Sequence, residues 1–191
     1  GDDVAGIVRT TLRVDRLTAA GVRPIVADVA AVEPLPPLTE ADTVVWSVGF
    51  DRSAGRGYRD VHVGGLGRLL DALPGHPRVI FIGSTGVWGR VDGMVVDEST
   101  PARPDREAGR VLLEAEALLA SHARGPGTVL RLAGIYGPGR LPRLDDLRAG
   151  RPIVADPDSW LNLIHVDDAV GVIMAVAEHP HPGGVDFERA D

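Results

Sequence analysis

Residues Arg78–Gly89 read RVIFIGSTGVWG. Val79, Ile80, Phe81 and Ile82 form an unbroken apolar run rich in β-branched side chains, the composition of a strand buried on both faces. The run stops at Gly83, Ser84, Thr85 and Gly86, so two hydroxyls follow the carboxyl end of the strand. In open α/β sheets that edge is where ligands bind. The other elements are placed relative to this strand and to Ser84.

Working outward, Val4–Val8, Pro24–Ala27, Thr43–Val48 and Thr128–Leu132 also read as strands. Between them lie helical stretches. Leu12–Ala20 is short and is stopped by Gly21. Tyr58–Leu73 carries apolar residues at positions 58, 61, 66, 69, 70 and 73, close to helical spacing, and Pro74 ends it. Arg106–Ser121 has an apolar stripe through Val111, Leu112, Ala115, Leu118 and Leu119; its charged residues, Arg106, Glu107, Arg110, Glu114 and Glu116, read as a wet face with i,i+4 pairs. Asp167–Ala177 reads as a helix capped by its opening aspartates. Leu141–Ala149 is a short helix and Ile153–Ala155 a small strand; Gly134–Gly139 is a Gly-rich turn and Pro180–Asp191 a turn-rich tail. Strands alternating with helices predict an α/β fold with a parallel sheet covered on both faces.

A chain of 191 residues suits one domain with a full core. A formal net charge of −7 argues against a nucleic-acid surface or a polybasic membrane contact. Without cysteine, disulfides, thiolate catalysis and thiolate-bound zinc are excluded. No apolar run is long enough to span a bilayer and no secretory pattern opens the chain, so a cytoplasmic location is the default. His165, Asp167 and Asp168 lack the spacing of a metal site.

The segments Ile82–Gly89, Asp97-Glu98-Ser99-Thr100-Pro101, Glu114-Ala115-Glu116, Arg131–Gly139 and Ile164–Asp168, in this order, resemble the extended short-chain dehydrogenase/reductase superfamily, in its NAD(P)-dependent epimerase/dehydratase branch. The resemblance implies a Rossmann-type domain that binds NAD(H) or NADP(H) at the carboxyl edge of the sheet. Residues 139–165 would contribute to a small substrate-binding part, and the substrate is often a nucleotide-linked sugar. The usual chemistry is hydride transfer, with a Tyr as acid/base, a Lys four residues on, and a Ser or Thr polarising the substrate oxygen. The family also implies a homodimer through the 58–73 and 106–121 helices.

Two departures from that pattern shape the expectations. The Gly-rich turn that holds the pyrophosphate does not occur, and Val4–Val8 matches the family's second strand rather than its first. The 191 residues are therefore expected to be a fragment, a Rossmann-type domain lacking the first strand and a C-terminal part. Second, Arg106 falls at the Tyr position and Arg110 at the Lys position, and an arginine is a poor proton donor. This leaves two readings: an NAD(P)-dependent epimerase/dehydratase-like oxidoreductase, or a non-catalytic dinucleotide-binding sensor or scaffold.

The residues expected at the chemistry are Ser84, Thr85 and Arg110. Those expected at the cofactor are Arg9, Asp28, Val48, Gly49, Phe50, Ser84, Arg110, Ala133, Gly134 and Ile135. Arg9 ends its strand where an arginine suits the 2′-phosphate of NADP, which sets NADP slightly ahead of NAD. Each has a plainer reading: Ser84 and Thr85 as strand-end caps, Asp28 as a turn residue, Gly49 as a simple turn, Arg9 as a solvated side chain. His62, where the family commonly has Asn, reads as a packed or solvated histidine.

Overall fold

The structure is a computed structural model that describes residues 2–89, 93–153 and 160–179. In chain order the elements are β1 (Ala5–Val8), α1 (Val14–Ala19), β2 (Arg23–Val26), β3 (Thr43–Trp46), α2 (Gly65–Ala72), β4 (Arg78–Ser84), α3 (Glu107–Ser121), β5 (Thr128–Leu132), β6 (Gly134–Tyr136), α4 (Leu144–Arg148), β7 (Leu163–His165) and α5 (Val166–Glu178). Among the described residues every strand ladder is parallel. β4 lies between β3 and β5, with Trp46 opposite Phe81 and Leu132 opposite Ser84. Among the described residues, β1–β2 and β6–β7 are separate two-stranded ladders, and no ladder joins β1 to β3.

Alternation along β4 divides the core. Val79 and Phe81 pack with Trp46, Leu66, Leu70, Leu112 and Leu119, so α2 and α3 cover that face. Ile80 packs with Leu130, Leu132, Ala169 and Val176, so α5 covers the other. Val79, Ile80 and Phe81 are each fully buried, as an unbroken apolar run in a parallel sheet requires. The α/β fold with helices on both faces is the one the sequence predicts.

Several local expectations are corrected. The 134–139 turn contains β6, which pairs with β7; Gly134 fits because an added Cβ would lie 3.0 Å from the Leu163 side chain. The cap of α5 is His165, whose Nδ1 accepts from the Asp167 N–H, while Asp167 and Asp168 form the acidic first turn. The 58–73 helix is interrupted by a π-helical segment, Asp60–Gly64. Ile153 is not in a strand, and the rest of that expected strand and the 180–191 tail lie outside the described residues. Glu116 does not belong to a wet face: it is buried and pairs with Arg131 of β5.

Phe81→Ala is expected to lower stability by about 3–5 kcal/mol, because the site between β3 and β5 cannot collapse around the void. Urea denaturation measures this, and a loss below about 1 kcal/mol would show that β4 is not the packed centre.

Candidate functional site

β4 delivers Ser84 to the carboxyl edge, where it caps a short 3-10 turn, Thr85–Trp88. Ser84 Oγ accepts from the Gly86 N–H at 3.1 Å. Among the described residues the hydroxyl proton meets no acceptor, so Ser84 can also donate outward. Thr85 Oγ1 accepts from the Asn162 side-chain amide at 3.4 Å and is in the same condition. The capping role read for Ser84 and its availability as a donor therefore coexist.

The turn is anchored from beneath by the buried side chains of Val87 and Trp88. Trp88 Nε1 donates to the Thr100 carbonyl at 3.0 Å. The Arg131 guanidinium lies over the Trp88 ring, 5.0 Å from its centroid, a cation–π geometry. Glu116 holds that guanidinium with two bonds, 3.2 Å from Nε and 2.7 Å from a terminal nitrogen. Gly109 of α3 lies against the same turn; an added Cβ would come within 2.8 Å of the Gly86 carbonyl oxygen.

At the other end of the edge, Arg9 and Asp28 are both engaged. Arg9 is 2.7 Å from Asp51 Oδ2. Asp28 accepts from the Ala30 N–H at 2.8 Å and from Arg56 at 3.3 Å. Val48 packs on the main core, the space over Gly49 is open, and the Phe50 ring meets the edge of Tyr58 at 5.0 Å. Tyr58 lies 4.3 Å from the ring of His62 in the π-helical segment. His62 is buried, and that burial lowers its pKa to about 4, so the imidazole is neutral at physiological pH. Burial raises the Tyr58 pKa.

Arg110 is exposed; its guanidinium bonds Glu107 at 3.0 Å and the Asp105 carbonyl at 3.4 Å. Arg106 stands at the N-cap of α3 without a side-chain capping bond. Glu114 reaches across to a bidentate contact with Arg59, and that guanidinium holds its pKa low. Gly134 N donates to the Asn162 carbonyl at 3.1 Å, and Ile135 packs in the second core cluster beyond Ala133. No tyrosine hydroxyl bonds Ser84 or Thr85 among the described residues; Tyr136 instead packs edge-on against His165.

Asp51, Arg56, Trp88, Glu116, Arg131 and Asn162 went unread as site residues in the sequence. Only Asp51 carried a local signal, the Asp-x-Ser pattern of a self-bonded turn. A cleft of about 420 Å³ bounded by Glu40, Asp42, Pro74 and His76 lies at the opposite, amino-terminal edge of β3 and β4, away from these hydroxyls. Among the described residues no three His, Asp or Glu side chains converge as for a metal ion. None of their helices is long and apolar enough to cross a membrane.

The parallel strands and covering helices are those of a Rossmann-type α/β domain, a class in which ligands bind at the carboxyl ends of the strands. Residues 26–187 match the NAD dependent epimerase/dehydratase family, and the chain belongs to that family. It is 37% identical over 153 residues to protein YeeZ of Escherichia coli, covering 78% of this chain and 53% of YeeZ, so it spans about half the length of that relative. A functionally unknown protein from Silicibacter pomeroyi matches with a TM-score of 0.69 at 28% identity, over 96% of this chain and 62% of that one. UDP-glucuronic acid 4-epimerase from Bacillus cereus, in complex with UDP-glucuronic acid and NAD, matches with a TM-score of 0.72 at 19% identity, over 98% of this chain and 70% of that one. At that identity the likeness is one of fold.

Glu116→Ala strands the Arg131 charge and is expected to cost about 3 kcal/mol. The near-UV circular dichroism of Trp88 should change with it; an unchanged spectrum and stability would mean the pair does not hold the turn. A second outcome concerns His62. Its folded pKa lies below its unfolded value, so the unfolded state binds the extra proton and stability falls as pH drops from about 6.5 toward 4. His62→Asn should flatten that slope by on the order of 2 kcal/mol between pH 7 and pH 4.5 in denaturant titrations. Parallel pH profiles for the two proteins would contradict the burial argument.

Proposed function

We propose that the chain binds a nicotinamide dinucleotide at the carboxyl edge of β3–β4–β5. We also propose that it serves an epimerase/dehydratase-like oxidoreductase acting on a nucleotide-sugar or a related hydroxyl or carbonyl compound. The observation that carries this reading is the pair of strand-end hydroxyls, Ser84 and Thr85, each accepting from an N–H and each left with a proton to donate. A donor so placed polarises a substrate oxygen and stabilises the charge that grows on it. The family and the nucleotide-sugar ligand of the Bacillus cereus neighbour support the substrate class. When bound, the dinucleotide supplies the hydride chemistry. The donor set suits its oxygens: hydroxyls at Ser84 and Thr85, open backbone at Gly49, and guanidinium groups at Arg9 and Arg110. Ala133, Gly134 and Ile135 belong to the same proposed edge. Residues 139–165, of which 154–159 lie outside the described residues, are proposed to contribute to substrate binding. A cytoplasmic setting and a homodimer through the 58–73 and 106–121 helices, read by sedimentation, complete the reading.

The second reading, a sensor or scaffold without catalysis, is favoured by one observation. Arg106 and Arg110 stand where the acid/base pair is expected, and Arg110 is engaged by Glu107. Titration with NADH, followed by fluorescence, tests the binding that both readings share, and no binding at millimolar cofactor removes both. Turnover of UDP-glucuronic acid or UDP-glucose then separates them. If turnover is found, Ser84→Ala should lower kcat/KM by about 100-fold or more, with dinucleotide affinity within a few-fold of the parent. Turnover that survives Ser84→Ala would remove Ser84 from the chemistry.

A further inference from the structure

The site proposed above contains a charge pair whose use it does not specify. Arg9 follows β1 and Asp51 follows β3, so their side chains meet over the carboxyl edge. They form an ion pair of 2.7 Å, with side chains 43% and 45% exposed, so a ligand can reach both. Asp51 is not a drifting carboxylate. Its Oδ1 accepts from the Ser53 N–H at 2.9 Å and from the Ser53 hydroxyl at 2.6 Å. The loop that carries it is tied down a second time by Arg56 on Asp28. The Ser53 hydroxyl bond, then the Arg9 bond, then the Ser53 N–H bond lower the Asp51 pKa to about 2, so the negative charge is present at any working pH.

We infer that Asp51 is a specificity determinant which selects a dinucleotide with a free ribose 2′-hydroxyl over one with a 2′-phosphate. This rests on the dinucleotide reading above. In a Rossmann-type site an acidic group at this end bonds the ribose hydroxyl, whereas an unengaged arginine accommodates the phosphate. Here one ion pair supplies both groups. A 2′-hydroxyl can donate to the Asp51 carboxylate and accept from the Arg9 guanidinium without parting them. A 2′-phosphate must separate Arg9 from Asp51 and sit beside an anchored carboxylate, where like charges repel. Arg9 alone points to NADP; Arg9 with Asp51 points to NAD.

The test is fluorescence titration of NADH and NADPH against the protein and its Asp51→Asn and Ser53→Ala forms at one ionic strength. The parent should bind NADH at least about tenfold more tightly than NADPH. Asp51→Asn should shrink or reverse that ratio by tightening NADPH. Ser53→Ala, which removes the hydroxyl bond to the carboxylate and keeps the N–H bond, should shift the ratio the same way by less. A parent that binds the two equally or prefers NADPH overturns the inference, as does a ratio that Asp51→Asn leaves unchanged; in either case the dinucleotide reading stands. Binding of neither dinucleotide removes that reading and the inference together.

Discussion

Burial of β4 on both faces is the constraint from which the rest follows. Three consecutive side chains with no exposure, two facing α2 and α3 and one facing α5, leave the middle of the strand no contact with water. Its N–H and C=O groups must then be paired on both sides, which the parallel neighbours β3 and β5 provide. A parallel sheet needs crossover segments, and these place α2 and α3 together on one face. One end of such a sheet collects the carboxyl ends of all its strands. Ser84 stands at that end because the strand before it has no freedom to turn earlier.

The edge is polar, yet much of what steadies it is out of sight. Glu116 and Arg131 are an ion pair at the end of the core, and the Arg131 guanidinium lies over the Trp88 ring. A charge pair of this kind gives little net stability compared with a well-packed apolar set, but it tolerates no missing partner. Its effect is geometric: it fixes the turn that presents the Ser84 and Thr85 hydroxyls. Across the edge, the loop after β3 is fixed by two further ion pairs, Arg9–Asp51 and Asp28–Arg56. Both ends of the proposed ligand edge are thus organised by arginine–carboxylate contacts between residues far apart in the chain.

The central architecture was legible in the sequence because it is written locally. The VIFI run has no polar interruption, and Gly21, with φ of +75°, stops α1 as its backbone requires. Ser84 was legible because it follows that run directly. What escaped was set by tertiary contact. Glu116 looks like any solvated helix charge until β5 brings Arg131 alongside. β6 and β7 have three residues each, too few to show a period, and one begins with glycine. Asn162 and Thr85 are 77 residues apart, and only the fold joins them. The aspartates suit a cap of α5 chemically, yet His165 holds the extended backbone position that a cap occupies.

Hydrogen exchange on the protein with and without NADH tests the central claim most directly, since it reports where the ligand lies without requiring turnover. The account predicts added protection in Gly83–Gly89 and in the Ser47–Gly57 loop, the two sides of the carboxyl edge. Protection confined to Glu40–Asp42 and Pro74–His76, at the opposite edge, would contradict it.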